Sequence, residues 1–168
     1  VVLHGTEISL WSAESDEERN IAEIERENQK LADGQLPRDY NGSVSSTQLK
    51  WLDTTLSEAE NNSENVLVCS HFPLFADSNK IGSKKTPLSS LINIGIYYSD
   101  LGVSTWNGRK ILEVLDLHSN IRAYISGHLH EGSYGVRNNV AHITLKGVVE
   151  TEKNAYSLID LTPTSILM

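Results

Sequence analysis

Two kinds of hydrophobic spacing alternate along this chain. Val66-Leu67-Val68-Cys69 is a short continuous apolar run, and Asn120-Ile121-Arg122-Ala123-Tyr124-Ile125 is a second stretch rich in β-branched and aromatic residues. Both read as strands, the first as a buried parallel strand that Pro73 forces out of the sheet. Before the first of them, Leu49, Leu52, Leu56 and Ala59 recur at helical spacing on one narrow apolar face, opened by a capping box from Ser45 to Gln48. Trp51 falls off that stripe and is expected to pack on an adjoining element or on the sheet edge. A further helix is expected from Asn107, as its cap, through His118, with Ile111, Leu112 and Leu115 inward and Arg109, Lys110 and Glu113 outward. Strands alternating with helices predict βαβ crossovers and a layered α/β fold.

The chain opens inside what reads as a strand, Val1 to Gly5 continuing through Glu7 to Leu10, so the sequence is expected to be a fragment lacking its amino-terminal half. Ser15 to Glu18 forms a capping box at the head of a helix over Asp16 to Ala32, apolar only at Ile21, Ile24 and Leu31 and stopped by Gly34. Its dense Glu and Arg read as a solvated face. Leu36 to Gly42 is a loop running toward the core. In the last third, Tyr134 to Arg137 and Val140 to Leu145 flank Asn138-Asn139 as a β-hairpin, and Ala155 to Leu161 pairs with Ser165 to Leu167. Between Phe75 and Trp106 the periodicity is lost. Residues at about 79–103 read as an insertion, either a substrate lid carrying Tyr97 and Tyr98 or an unremoved non-coding stretch. Lys80, Lys84 and Lys85 read as a solvated basic loop.

Chemistry gathers where the two strands end. His71 follows the first run, and Ser126-Gly127-His128-Leu129-His130-Glu131-Gly132 follows the second. In open α/β sheets the carboxyl edge of the strands is where ligands bind. Imidazoles at i and i+2 can serve one metal ion or two adjacent ones, since imidazole is the commonest side-chain ligand for first-row ions. The plainer alternatives are a pair of surface-loop histidines and a satisfied core histidine at 71. His142 lies on a strand of alternating burial and reads as structural.

Ser70-His71 followed by Pro73, and then Gly127-His128-Leu129-His130, resembles the second half of the calcineurin-like metallophosphoesterases. Gln48-Leu49-Lys50-Trp51-Leu52-Asp53, Ser104-Thr105-Trp106-Asn107 and the tail from Gly127 to Thr151 are similar, within that superfamily, to the manganese-dependent ADP-ribose/CDP-alcohol diphosphatases. The resemblance implies the carboxyl-terminal half of a layered αββα sandwich, a mixed sheet with helices on one side, in a single domain spanning 1–168. It implies two divalent metal ions, manganese first and iron or zinc as alternatives, with His71 and His128 on one and His130 on the other. His128 is then also the catalytic histidine. The superfamily's Gly-Asp and Gly-Asn-His motifs do not occur in this sequence, and its Asp-x-His motif precedes this region in the family, so the remaining ligands are expected on the missing half. His4 departs from the acidic or amide residue usual in that strand and reads as a turn histidine. Glu131 and Glu150 read as surface carboxylates, with contact to substrate or to the metal ligands as the alternative.

Composition narrows the partners. The chain has 168 residues and a net charge of −8, which argues against a nucleic-acid binder with its need for a basic face. A site for anionic phosphoesters in such a chain needs local positive charge, and metal ions supply it. Cys69, the single cysteine, reads as an inert buried thiol. No run reaches the length of a membrane span. Asn41-Gly42-Ser43 and Asn61-Asn62-Ser63 fit the glycosylation acceptor pattern, but no compartment follows from such frequent triplets.

The expected activity is hydrolysis of a phosphoanhydride or phosphodiester bond in a nucleotide-like small molecule by metal-activated water. Two alternatives stay open. One is a catalytically inactive fragment acting at most as a binding or structural domain, and the other is a cyclic-nucleotide phosphodiesterase of the same superfamily.

Overall fold

The structure is a computed structural model that describes residues 2–3, 8–30, 34, 36–74, 104–150, 156–162 and 165–167. His4, the expected insertion at 79–103 with its lysines and tyrosines, and the side chain of Glu150 lie outside the described residues.

Five strands form the main sheet: β1 (Val2–Leu3), β4 (Val66–Ser70), β5 (Ile121–Ser126), β6 (Ser133–Arg137) and β7 (Val140–Thr144). Their order is β1-β4-β5-β7-β6; every neighbouring pair is parallel except the β6–β7 hairpin at the edge. That hairpin closes at Arg137↔Val140 around Asn138 (φ 49°) and Asn139 (φ 64°), so both central residues are left-handed, as a type I′ turn requires. Asparagine tolerates that conformation better than most residues, which is why the pair marks the turn.

Helices α2 (Ser46–Asn61) and α3 (Gly108–Leu115) pack together on one side of this sheet. Leu52, Leu56 and Ala59 of α2 meet Ile111, Leu112 and Leu115 of α3 over Val66, Val68, Ile121 and Tyr124. Each fully buried leucine or isoleucine contributes about 1.5–3 kcal/mol relative to exposure, so this cluster is the main apolar stabilisation among the described residues. The mixed α/β sheet with helices on one side is the architecture the sequence predicts. His142 stacks on Tyr124 with ring centroids 5.6 Å apart, and burial, followed by the charge of Arg137, pushes its pKa down to about 3. It is a neutral core imidazole.

Several local expectations differ from the structure. The opening stretch is two short strands in different sheets, β1 in the main sheet and β2 (Ile8–Ser9) in a two-stranded sheet with β3 (Gly42–Ser43). The first helix, α1, ends at Asn28, and its buried side chain is Ala22, while Ile21 and Ile24 are exposed. α1 rests on β2 and β3, two-residue strands too small to cover an isoleucine stripe. Its start is as predicted, with Ser15 Oγ accepting from Glu18 N, and Ser45 Oγ likewise accepts from Gln48 N at the head of α2. Trp51 is exposed on α2, because the sheet and α3 already occupy the opposite face. Cys69 is only half-buried. The closing pair, β8 (Asp160–Leu161) with β9 (Ile166–Leu167), forms antiparallel as expected.

Asn107 does not cap α3. Its side chain is turned instead to Val44, donating from Nδ2 to the Val44 carbonyl (2.7 Å) and accepting from the Val44 N–H at Oδ1 (3.2 Å). These two backbone groups are buried, and the amide of a residue 63 positions away satisfies both. α3 also stops at Leu115 and not at His118. The His118 ring lies between Asp53 (2.8 Å) and Glu60 (3.4 Å) of α2, while Ser119 donates to Glu60 from its hydroxyl and its backbone N–H, which holds the Glu60 carboxyl below its ordinary pKa. Asn107→Ala is expected to lower unfolding stability by about 2–4 kcal/mol in chemical denaturation, since it orphans two buried backbone groups. A loss below half a kilocalorie would mean that water replaces the clamp.

Candidate metal centre

The centre begins with strand register. Cys69 of β4 pairs with Ile125 of β5, so the two parallel strands end side by side. Beyond their ends the Gly127 N–H donates to the His71 carbonyl at 3.0 Å and joins the two loops. His71 and His128 are thereby brought together, their ring centroids 5.1 Å apart at an interplanar angle of 67°. The buried Phe72 backs both rings edge-on, at 4.9 Å from His71 and 4.4 Å from His128.

His128 has φ 64°, left-handed for a residue with a bulky side chain. Such a conformation costs on the order of 1–3 kcal/mol and persists only where surrounding contacts hold it. Here the loop bonds Leu129 N to Gly127 O and Gly132 N to Leu129 O hold it. Asn41, 1% exposed, places Oδ1 at 3.0 Å from His128 Nε2. With the amide oxygen as acceptor, Nε2 carries the proton and Nδ1 carries the lone pair, the tautomer a metal ligand needs. Burial first, then the charges of His71 and His130, push the His128 pKa down to about 4, so the ring is neutral at physiological pH.

His130 lies on the exposed side of the same cavity. The Gly147 N–H donates to its backbone carbonyl (2.9 Å), and the segment after β7 lies so close that a Cβ on Gly147 would sit 2.7 Å from His130 Cδ2. Any side chain there would have to displace the His130 ring. The cavity, about 390 Å³, is lined by the three histidines with Ser70, Ser126 and Lys146 among its other walls. All three predicted histidines therefore face one space. Glu131 is exposed and outside the lining, and among the described residues no Asp or Glu lines the cavity and no three or more His, Cys, Asp and Glu are grouped closely enough to hold an ion. Neutral imidazoles suit a divalent first-row ion, while the carboxylate oxygens that manganese favours are not among these described side chains.

Sequence reasoning missed Asn41, Asn107 and Gly147. Asn41 had the appearance of a turn residue in a glycosylation triplet, yet it is buried against His128. Its signal, an amide immediately before the glycine that opens a short buried strand, is too common to stand out.

No family model matches the chain. It is 30% identical over 119 residues to a manganese-dependent ADP-ribose/CDP-alcohol diphosphatase of Arabidopsis thaliana, covering 70% of this chain and 32% of that protein. It is 31% identical over 113 residues to the Xenopus tropicalis protein of the same name, covering 67% and 27%. The chain is a relative of the manganese-dependent ADP-ribose/CDP-alcohol diphosphatases. Among solved structures, a dimetal phosphatase from Danio rerio superposes with a TM-score of 0.65 at 23% identity, over 89% of this chain and 46% of that one. The fold is thus that of a dimetal phosphatase, as the resemblance to calcineurin-like metallophosphoesterases implied. The chain spans about a third of the length of the curated relatives it matches. Among the described residues no helix is long and apolar enough to cross a membrane.

The His128 ring is expected to stay unprotonated in the metal-free protein until the pH nears 4, as imidazole nitrogen shifts in NMR would report. Because the folded pKa lies below the unfolded value of about 6.5, the contribution to stability is complete above that value and is lost as pH falls toward 4. Protonation of His128 near pH 6.5 would contradict the burial argument.

Proposed function

We propose that the complete protein is a metal-dependent hydrolase of phosphoanhydride or phosphodiester bonds in nucleotide-like small molecules such as ADP-ribose or CDP-alcohols. In this reading His71, His128 and His130 are nitrogen ligands of two divalent ions, manganese before iron or zinc, and His128 is the ligand nearest the reaction. The observation that carries it is the convergence of His71 and His128 from adjacent parallel strands onto one cavity. Kinship with diphosphatases of that name supports the substrate class.

Bound divalent ions supply Lewis acidity, lowering the pKa of water and neutralising phosphoryl charge. The chain's own residues hold geometry. Asn41 fixes the His128 ring and its tautomer, and the left-handed backbone at 128 turns that ring toward His71. Gly147 leaves His130 its place against the 145–149 segment. Lys146 is among the residues that line the cavity, a cationic residue type suited to an anionic phosphate. Imidazole ligands carry no negative charge to offset two dications, so anionic oxygen donors are expected from elsewhere in the protein.

In the complete protein, a chelator is expected to abolish turnover of ADP-ribose and manganese to restore it. His128→Ala should lower kcat/KM by at least about 100-fold, the scale set by losing several kcal/mol of metal-derived stabilisation. Turnover unchanged by the substitution would sink the assignment. Gly147→Ala should weaken manganese binding by roughly 10–100-fold in calorimetry, with circular dichroism unaltered, because the added methyl displaces His130. Unchanged affinity would remove His130 from the ligand set. The lack of carboxylates among the described residues of the cavity favours a second reading, in which the chain is an inactive binding or structural domain. A complete protein that binds no manganese would select it.

A further inference from the structure

A second cavity, about 300 Å³, adjoins the first across the His71–His128 pair, which lines both. Its other walls are Ser9, Trp11, Ser12, Tyr40 and Phe72. The two cavities thus share the His71 and His128 side chains as a common wall.

We propose that this aromatic crevice is a stacking subsite for the heterocyclic base of a nucleotide substrate, with Trp11 and Tyr40 as the stacking side chains. The proposal rests on the hydrolase reading above and adds to it where the base is held.

The chemistry of the crevice differs from that of the first cavity. Among the described residues no Lys, Arg, Asp or Glu lines it, whereas Lys146 lines its neighbour. An anionic phosphate therefore has its partners at the histidines and Lys146, and a flat neutral ring has its partners in the crevice. Trp11 is 75% exposed, a large apolar side chain left uncovered directly beside the histidines. Its backbone is nonetheless fixed, the Trp11 N–H donating to the buried Ser9 side chain at 3.2 Å. Tyr40 is also partly open, and its ring lies 5.9 Å from that of His128, so a ring stacked on Tyr40 stands next to the imidazole that meets the phosphate. Phe72, buried, closes the floor. Segment 38–44 carries Tyr40 and Asn41 together and is held by Trp106, whose indole N–H donates to the Arg38 carbonyl (2.8 Å) and whose backbone N–H donates to Gly42 O (2.8 Å). Base position and His128 orientation are set by one loop. Stacking discriminates little between bases because each has a π face, so the subsite is expected to accept a purine or a pyrimidine.

The test uses the complete protein, with a nucleoside diphosphate ester and a dialkyl diphosphate as paired substrates. Trp11→Ala is expected to raise KM for the nucleoside ester roughly 10- to 100-fold more than KM for the dialkyl diphosphate, the range for losing one base–aromatic stack, with Trp11→Phe recovering most of the difference. Equal effects on both substrates, or no effect on either, would overturn the subsite. A readout without turnover keeps the question separate from hydrolysis. Adenosine monophosphate should quench the Trp11 share of the emission, taken as wild type minus Trp11→Phe, saturably and with weaker affinity in Tyr40→Ala, while ribose 5-phosphate should not. Quenching by both probes or by neither contradicts base stacking. A protein that hydrolyses neither ester contradicts the hydrolase reading alone, and the quenching experiment then decides the subsite.

Discussion

The hydrogen bond from the Gly127 N–H to the His71 carbonyl is the contact on which the rest of the centre depends. Parallel pairing of β4 with β5 aligns two strand ends, but alignment alone leaves two loops free to diverge. A one-residue slip in either strand would turn its side chains to the opposite face. The register Cys69↔Ile125, continued by that bond past the last ladder pair, leaves His71 and His128 no room to separate. The strain at His128 follows from the same arrangement. A left-handed residue is needed to turn the chain sharply after Gly127, and the side chain that must sit there is a histidine and not a glycine.

A second constraint acts from the opposite direction in sequence. Trp106 and Asn107 hold segment 38–44 through four hydrogen bonds, two from each residue. This long-range clasp delivers Asn41 to His128. It also delivers Tyr40 to the edge of the second cavity, so the packing of α3's entry loop is coupled to the electrostatics of the imidazole. The core beneath, where α2 and α3 cover β4 and β5, supplies the rigidity that makes such a clasp possible.

What was legible in the sequence was whatever local pattern decides. Continuous apolar runs ending in histidine gave the two strands and the edge they share, and the capping serines and the Asn138-Asn139 turn were read correctly because each acts within a few residues. The three histidines facing one cavity were predictable from strand topology. Asn107 was misread because an asparagine before a helix is the usual cap, and only tertiary structure shows that Val44 competes for its amide. The isoleucines of α1 were misread for the converse reason. Helical spacing shows that a stripe exists, but whether anything covers it depends on the partner, here two strands of two residues each. Gly147 offered no local signal at all, because its requirement is set by the ring of His130 from another loop.

The electrostatics of the cavity tie these elements to one another. Burial against Phe72 and the proximity of two further imidazoles disfavour the protonated form of His128, so at neutral pH the cavity presents a lone pair where a more exposed histidine would be partly charged. A chain of net charge −8 then attracts cations generally, and the histidines give that attraction a place and a geometry. The same burial would make a lone cation there expensive without oxygen donors close by. His128 therefore presents a nitrogen donor beside His71 at the strand edge, where no carboxylate is among the described side chains that line the cavity.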